Sequence, residues 1–145
     1  PEHRETLQKA IGCTGDEPVC GIAQNYGGVT EDFLHAMWVI IGYDINIAVV
    51  GECGSACELL MEWASANVCV SEKATLVFHQ GWEGVNQQFI QNRHAYRIQQ
   101  WINAHGGEPA TRERNKMLEM SGVDALATGM WRHCEVENGH LFFKN

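Results

Sequence analysis

Two side chains in this sequence have the type and setting for nucleophilic catalysis. Ser55 lies in Gly51-Glu52-Cys53-Gly54-Ser55-Ala56-Cys57, between an apolar run and an amphipathic one. His79 closes a later apolar run, 24 residues further on. A serine at a helix start is surrounded by backbone N–H groups that have no intrahelical acceptor, and these favour a developing negative charge. A neutral imidazole within reach can take the hydroxyl proton and so activate a weak nucleophile. The amides of a glycine turn and of the residue after the serine can then hold an oxyanion. Each feature also has a plainer reading. Ser55 can be a helix cap, His79 a half-buried packing residue, and Gly27-Gly28 a tight turn. Their occurrence together, in order, favours the chemical reading.

The elements that must position these residues follow from periodicity. Glu2–Ile11 reads as a helix with Leu7 and Ile11 on one face. Val19–Ala23 is a short strand ended by Gly27-Gly28. Thr30 is a candidate N-cap for a helix carrying Phe33, Leu34, Met37, Trp38 and Ile41, and Gly42 ends it. Ile45–Val50 is a continuous β-branched run, as expected of a strand covered on both faces, and Gly51–Gly54 reads as a turn. Ser55–Ala66 reads as a helix, Val68–Val70 and Thr75–Phe78 as strands, Val85–His105 as one long helix, and Pro109 to Met120 as another. Alternating strands and helices predict an α/β fold with a mainly parallel sheet flanked by helices. In such sheets, sites collect where strands end and helices begin.

Composition narrows the function classes. The 145 residues and 45 % hydrophobic content fit one domain, 1–145, with a single core. A formal net charge of −8 and no basic cluster argue against a nucleic-acid partner. The longest apolar runs, Ala36–Ile41 and Ile45–Val50, are far short of a membrane span. No basic-then-apolar leader precedes them. Six cysteines permit three disulfides, and Cys13 with Cys20 can close a small loop; buried thiols are the competing reading. Cys53 and Cys57 flank Ser55 and suit a local bridge or packing better than a cysteine nucleophile, because Glu52 and Glu58, read as solvated, make the segment acidic. No Cys-x2-Cys pair exists and the seven histidines are scattered, so no metal site is read and no cofactor is expected. His133-Cys134-Glu135 is discounted as a ligand set. Trp82, just after His79, is a candidate cleft-lining residue.

These segments resemble those of Clp-type serine proteases in the Clp-protease/crotonase superfamily. Gly51–Ala56 and Phe78-His79-Gln80 are similar to that family's nucleophile and histidine segments. Gln24-Asn25-Tyr26-Gly27-Gly28-Val29 is similar to its Asn-Ser-Pro-Gly-Gly-Val oxyanion loop, with Asn25 and Tyr26 in place of serine and proline. The Gly-x-Cys-x-Ser-Ala-Cys form is closer still to periplasmic proteins of the Clp-protease class. The likeness runs from about Val19 to Gly122. It implies a Clp/crotonase-like fold and a serine hydrolase, a peptidase by preference, acting on a peptide or protein. Ser55 is then the nucleophile, His79 the base, and the N–H groups of Gly28 and Ala56 the oxyanion hole. The acid of the triad has no clear match: Glu135 falls nearest by spacing, and Asp124 is the alternative. Homo-oligomers are implied, with Val85–His105 as a contact face. A periplasmic or secreted location is implied, a cytoplasmic one being the alternative. The rival functions are an inactive scaffold or binding domain on the same fold, and a crotonase-type acyl-CoA enzyme.

Overall fold

The computed structural model describes residues 2–137 and 140–143. Helices surround a curled, mixed sheet. In chain order the elements are α1 (Glu2–Ile11), β1 (Cys20–Asn25), α2 (Thr30–Gly42), β2 (Ile47–Gly54), α3 (Ala56–Trp63), β3 (Val68–Val70), β4 (Thr75–Phe78), β5 (Gly81–Glu83), β6 (Gln88–Ile90), α4 (Tyr96–Ala104), β7 (Leu118–Ser121), α5 (Gly122–Ala127), β8 (Arg132–Glu137) and β9 (His140–Phe143).

The strand β2 organises the sheet. Its first half, Ile47–Val49, pairs in parallel with β3, and its second half, Glu52–Gly54, pairs in parallel with β4. Both partners share one edge of β2, because β1 pairs in parallel along the other edge past both halves. The sheet therefore divides at the middle of β2. One branch continues through β3 to parallel β8 and antiparallel β9, and the other ends in antiparallel β7. The α/β expectation and the parallel interior hold, with antiparallel strands added at the rims.

The glycines of β2 act differently from the expected turn. The strand runs straight through Gly51–Gly54, and the chain turns only at Ser55. At Gly51 a β-carbon would sit 1.9 Å from the Ala23 carbonyl oxygen, where β1 shifts register, and at Gly54 one would sit 2.9 Å from the Val77 β-carbon. These positions let neighbouring strands approach closely. The main core lies between the helices and the sheet and includes Leu7, Phe33, Ile40, Leu60, Phe78 and Ile102, and Ala48, Cys69 and Cys134 form a second, smaller cluster.

Three further local expectations fail. Val85–His105 is not one helix: β5 and β6 form a hairpin, and only Tyr96–Ala104 is helical. Gln87 takes a left-handed φ of 51°, Val85 is 91 % exposed and Gln88–Ile90 pairs with Gly81–Glu83, so the apolar helical face is confined to α4, with Ile98 and Ile102 buried. Pro109 to Met120 is a loop, a short 3-10 turn and β7, whose Met120 is buried between exposed Glu119 and Ser121. That alternation fits a strand beside β4 better than a helix. Thr30 begins α2 without capping it; Val29 occupies the cap position.

All six cysteines are joined, as Cys13–Cys20, Cys53–Cys57 and Cys69–Cys134. Their Cα separations of 5.9, 5.4 and 4.9 Å suit such bridges. The last ties β3 to β8. No helix among the described residues is long and apolar enough to cross a membrane.

Candidate active site

Ser55 occupies the sharp junction between β2 and α3. Its φ of 57° and ψ of −127° are strained for a residue with a side chain. A strand-to-helix turn of this kind lifts the hydroxyl clear of the backbone. Although Ser55 stands at the helix cap position, its side chain makes no capping hydrogen bond. The Ser55 amide donates to the Val77 carbonyl at 3.1 Å, which ties the turn to the end of β4. His79 follows that strand end directly. The register of β2 against β4, Gly54 opposite Val77, thus brings serine and histidine to the same rim of the sheet.

The two side chains share a cleft of about 470 Å³ that also includes Gly28, Ala56, Trp82 and Asn92 in its lining. A smaller hollow of about 230 Å³ shares Tyr26, Ser55 and His79 with it and adds Arg112, Arg114 and Met117. No direct hydrogen bond joins Ser55 to His79. The His79 Nδ1 lies 2.7 Å from the Gln80 carbonyl oxygen. A carbonyl only accepts, so that contact places the proton on Nδ1 and leaves Nε2 of a neutral ring as an acceptor.

Gly27 presses against the turn. A β-carbon there would lie 2.7 Å from the Ala56 nitrogen and 2.9 Å from the Ser55 β-carbon, and its φ is 85°. Asn25 sets this loop: its side chain accepts from the Gly27 amide at 2.9 Å and donates to the Ala10 carbonyl at 2.8 Å. Ala56 is the first helical residue, whose amide has no intrahelical acceptor. The Gly28 and Ala56 residues therefore flank the serine on the cleft wall.

The acid candidates stand elsewhere. Glu135 is on β8, which is separated from β4 by β2 and β3, and its carboxylate lies 3.8 Å from the His133 ring. Asp124 lies in the first turn of α5 and accepts from the Trp101 indole at 3.2 Å. Neither is brought to His79; a main-chain carbonyl takes the place beside its ring. Trp82 lines the cleft, its ring tilted 59° from that of Phe89 at a centroid distance of 4.9 Å, with the Arg112 guanidinium 5.1 Å from its ring centre.

The acidic residues next to Ser55 are not both solvated. Glu52 is half-exposed, accepts from the Tyr26 hydroxyl and pairs with Arg114, which also binds Glu119. The Tyr26 hydrogen bond, then Arg114, hold the Glu52 carboxyl below its ordinary range. Glu58 is sealed, 1 % exposed, on a helix buried along nearly its whole length. It belongs to a cluster that the sequence reading missed. His94 Nδ1 lies 2.6 Å from Glu62 Oε2 and 3.5 Å from Glu58 Oε1, while its Nε2 lies 2.7 Å from Glu108 Oε2. Burial opposes charge on His94, but the hydrogen bonds to Glu108 and Glu62, with their negative charges, outweigh it and push the imidazole up to about 9. Burial, followed by the Glu62 charge, raises the Glu58 carboxyl well above the usual range. The spacing of Glu58 and Glu62, four apart on one helix face, was the available signal.

The cluster touches the cleft through shared neighbours. Asn92 donates to the Glu108 carboxylate and to the His79 carbonyl, and the Gln80 side chain donates to the Glu108 carbonyl. No protein-family model matches the chain, and no curated protein matches it in sequence.

Proposed function

We propose that the chain is a serine hydrolase with Clp/crotonase-like architecture, acting on peptide or protein substrates outside the cytoplasm. The observation that carries this reading is the strained Ser55 turn, opening on the same cleft as His79. Ser55 Oγ attacks the acyl carbon while His79 Nε2 takes its proton. The amides of Gly28 and Ala56 receive the developing oxyanion. His79 returns the proton to the leaving group, and water then attacks the acyl-enzyme by the same route. The Gln80 carbonyl orients the imidazole in place of a carboxylate. Three disulfides support a location where thiols oxidise, and self-association is part of the proposal.

Treatment with a fluorophosphonate tests the reading. Stoichiometric labelling that disappears in Ser55→Ala and collapses in His79→Ala is the expected result. An unlabelled, folded wild type overturns it. Among the described residues a main-chain carbonyl, not a carboxylate, contacts the His79 ring, which favours one rival, a scaffold domain without catalysis, and that outcome would leave it standing. Retention on a CoA resin without labelling would instead point to the acyl-CoA branch.

A further inference from the structure

We propose that Glu58, Glu62 and His94 hold a divalent transition-metal ion, with Glu108 orienting the imidazole from its far side. One donor atom from each of the three lies within 4.8 Å of the others. The side chains are sealed: His94 is 2 % exposed, Glu58 1 %, Glu62 4 % and Glu108 6 %. A buried carboxylate needs a partner that offsets its lost hydration. Glu62 has one, since its Oε1 accepts from the Ala95 amide at 2.6 Å and its Oε2 faces the His94 ring. Glu108 has others in Asn92 and His94 Nε2. Glu58 is the exception: both of its oxygens are buried and neither has a hydrogen-bond partner. Its Oε1 lies 3.5 Å from the same His94 nitrogen that Glu62 contacts.

A cation between Glu58, Glu62 and Nδ1 resolves that exception. On binding, the Nδ1 proton leaves to solvent, and the ion takes lone pairs from the Glu58 oxygens, from Glu62 Oε2 and from the bared Nδ1, while Nε2–H donates to Glu108. A ligating histidine whose other nitrogen is held by a carboxylate is the usual arrangement around bound metals. One nitrogen and carboxylate oxygens, without thiolate, suit zinc and its first-row neighbours. The site does not depend on the hydrolase reading. It would staple α3 to the Asn92–Ala95 segment and, through Glu108 and Asn92, to the strand end that bears His79. The competing occupant is a proton shared between Glu58 and Glu62.

The test uses the full chain, free of any affinity tag, with its disulfides intact and stripped by a chelator. Zn2+ titration followed by calorimetry is expected to show one ion per chain. Glu58→Gln should weaken binding at least about tenfold, and Glu108→Gln about 10–100-fold. X-ray absorption of the zinc form should show one imidazole and only oxygen otherwise, at about 2.0–2.1 Å. Failure of the folded wild type to bind one equivalent overturns the proposal in favour of the shared proton. Equal affinity in wild type and a folded Glu58→Gln also overturns it, as does a spectrum with two or more imidazoles, which surface histidines would give. If Glu58→Gln does not fold, Glu108→Gln and the wild-type spectrum decide.

Discussion

Ser55 and Glu58 are neighbours on one helix start, yet they meet opposite surroundings. Ser55 stands just before α3, half-exposed, on a strained backbone, with its hydroxyl unpaired and a cleft in front of it. Glu58, within the first turn, has an unremarkable backbone and no access to water. At the first position the cost is borne by the main chain; at the second it is borne by an ionisable group deprived of hydration. The difference shows two ways of storing free energy at a site. Geometric strain leaves a local mark on the chain, whereas a buried charge depends on residues remote in sequence.

The largest effect expected on this contrast is kinetic. Ser55→Ala should lower acylation by at least about 10³-fold while leaving the chemical midpoint of unfolding nearly unchanged, as measured by labelling rate and urea titration. The matching change in the buried cluster should act on stability instead. Glu62→Ala leaves both the Ala95 amide and the His94 ring short of a partner, and a loss of about 3–5 kcal/mol in equilibrium unfolding is expected. A loss below 1 kcal/mol would mean that the cluster is wetter than its exposure indicates. Gly27→Ala tests the contact between the glycine loop and the turn. The left-handed φ alone costs roughly 1–2 kcal/mol for a residue with a β-carbon, and the clash with Ala56 should displace the proposed oxyanion donor, so labelling should slow as stability falls. Ser55→Gly removes the side chain from the strained position. It should stabilise the fold by about 1 kcal/mol while abolishing labelling, and no gain in unfolding midpoint would show that the turn is relaxed. The smallest effect is assigned to Arg112→Ala, a change within about 0.5 kcal/mol in stability, with a raised KM for substrates that cross Trp82.

The legible parts of the molecule were those with local signatures. Ile45–Val50 announced a strand by its β-branched run, and Thr75–Phe78 did the same. Ser55 and the residue after it could be placed at a helix start, and His79 at a strand end, from sequence periodicity alone. The segment after Trp82 misled because Phe89, Ile90, Ile98 and Ile102 mimic a helical stripe, although a hairpin tip with an exposed Val85 intervenes. β7 was hidden for another reason: its strand character comes from pairing with β4, a tertiary fact. Only the Glu58–Glu62 half of the buried cluster had a signal, because His94 and Glu108 come from an irregular segment and from a loop before Pro109, and charged residues are ordinarily assigned to the surface. The partner of His79 escaped because a backbone carbonyl has no sequence signature.

The Cys53–Cys57 bridge encloses Gly54, Ser55 and Ala56 in a small covalent ring. A chain fresh from the ribosome carries two thiols there, and its elbow has one restraint fewer against relaxing. Oxidation of that pair thus adds, four residues apart, a covalent restraint on the posture of the serine between them.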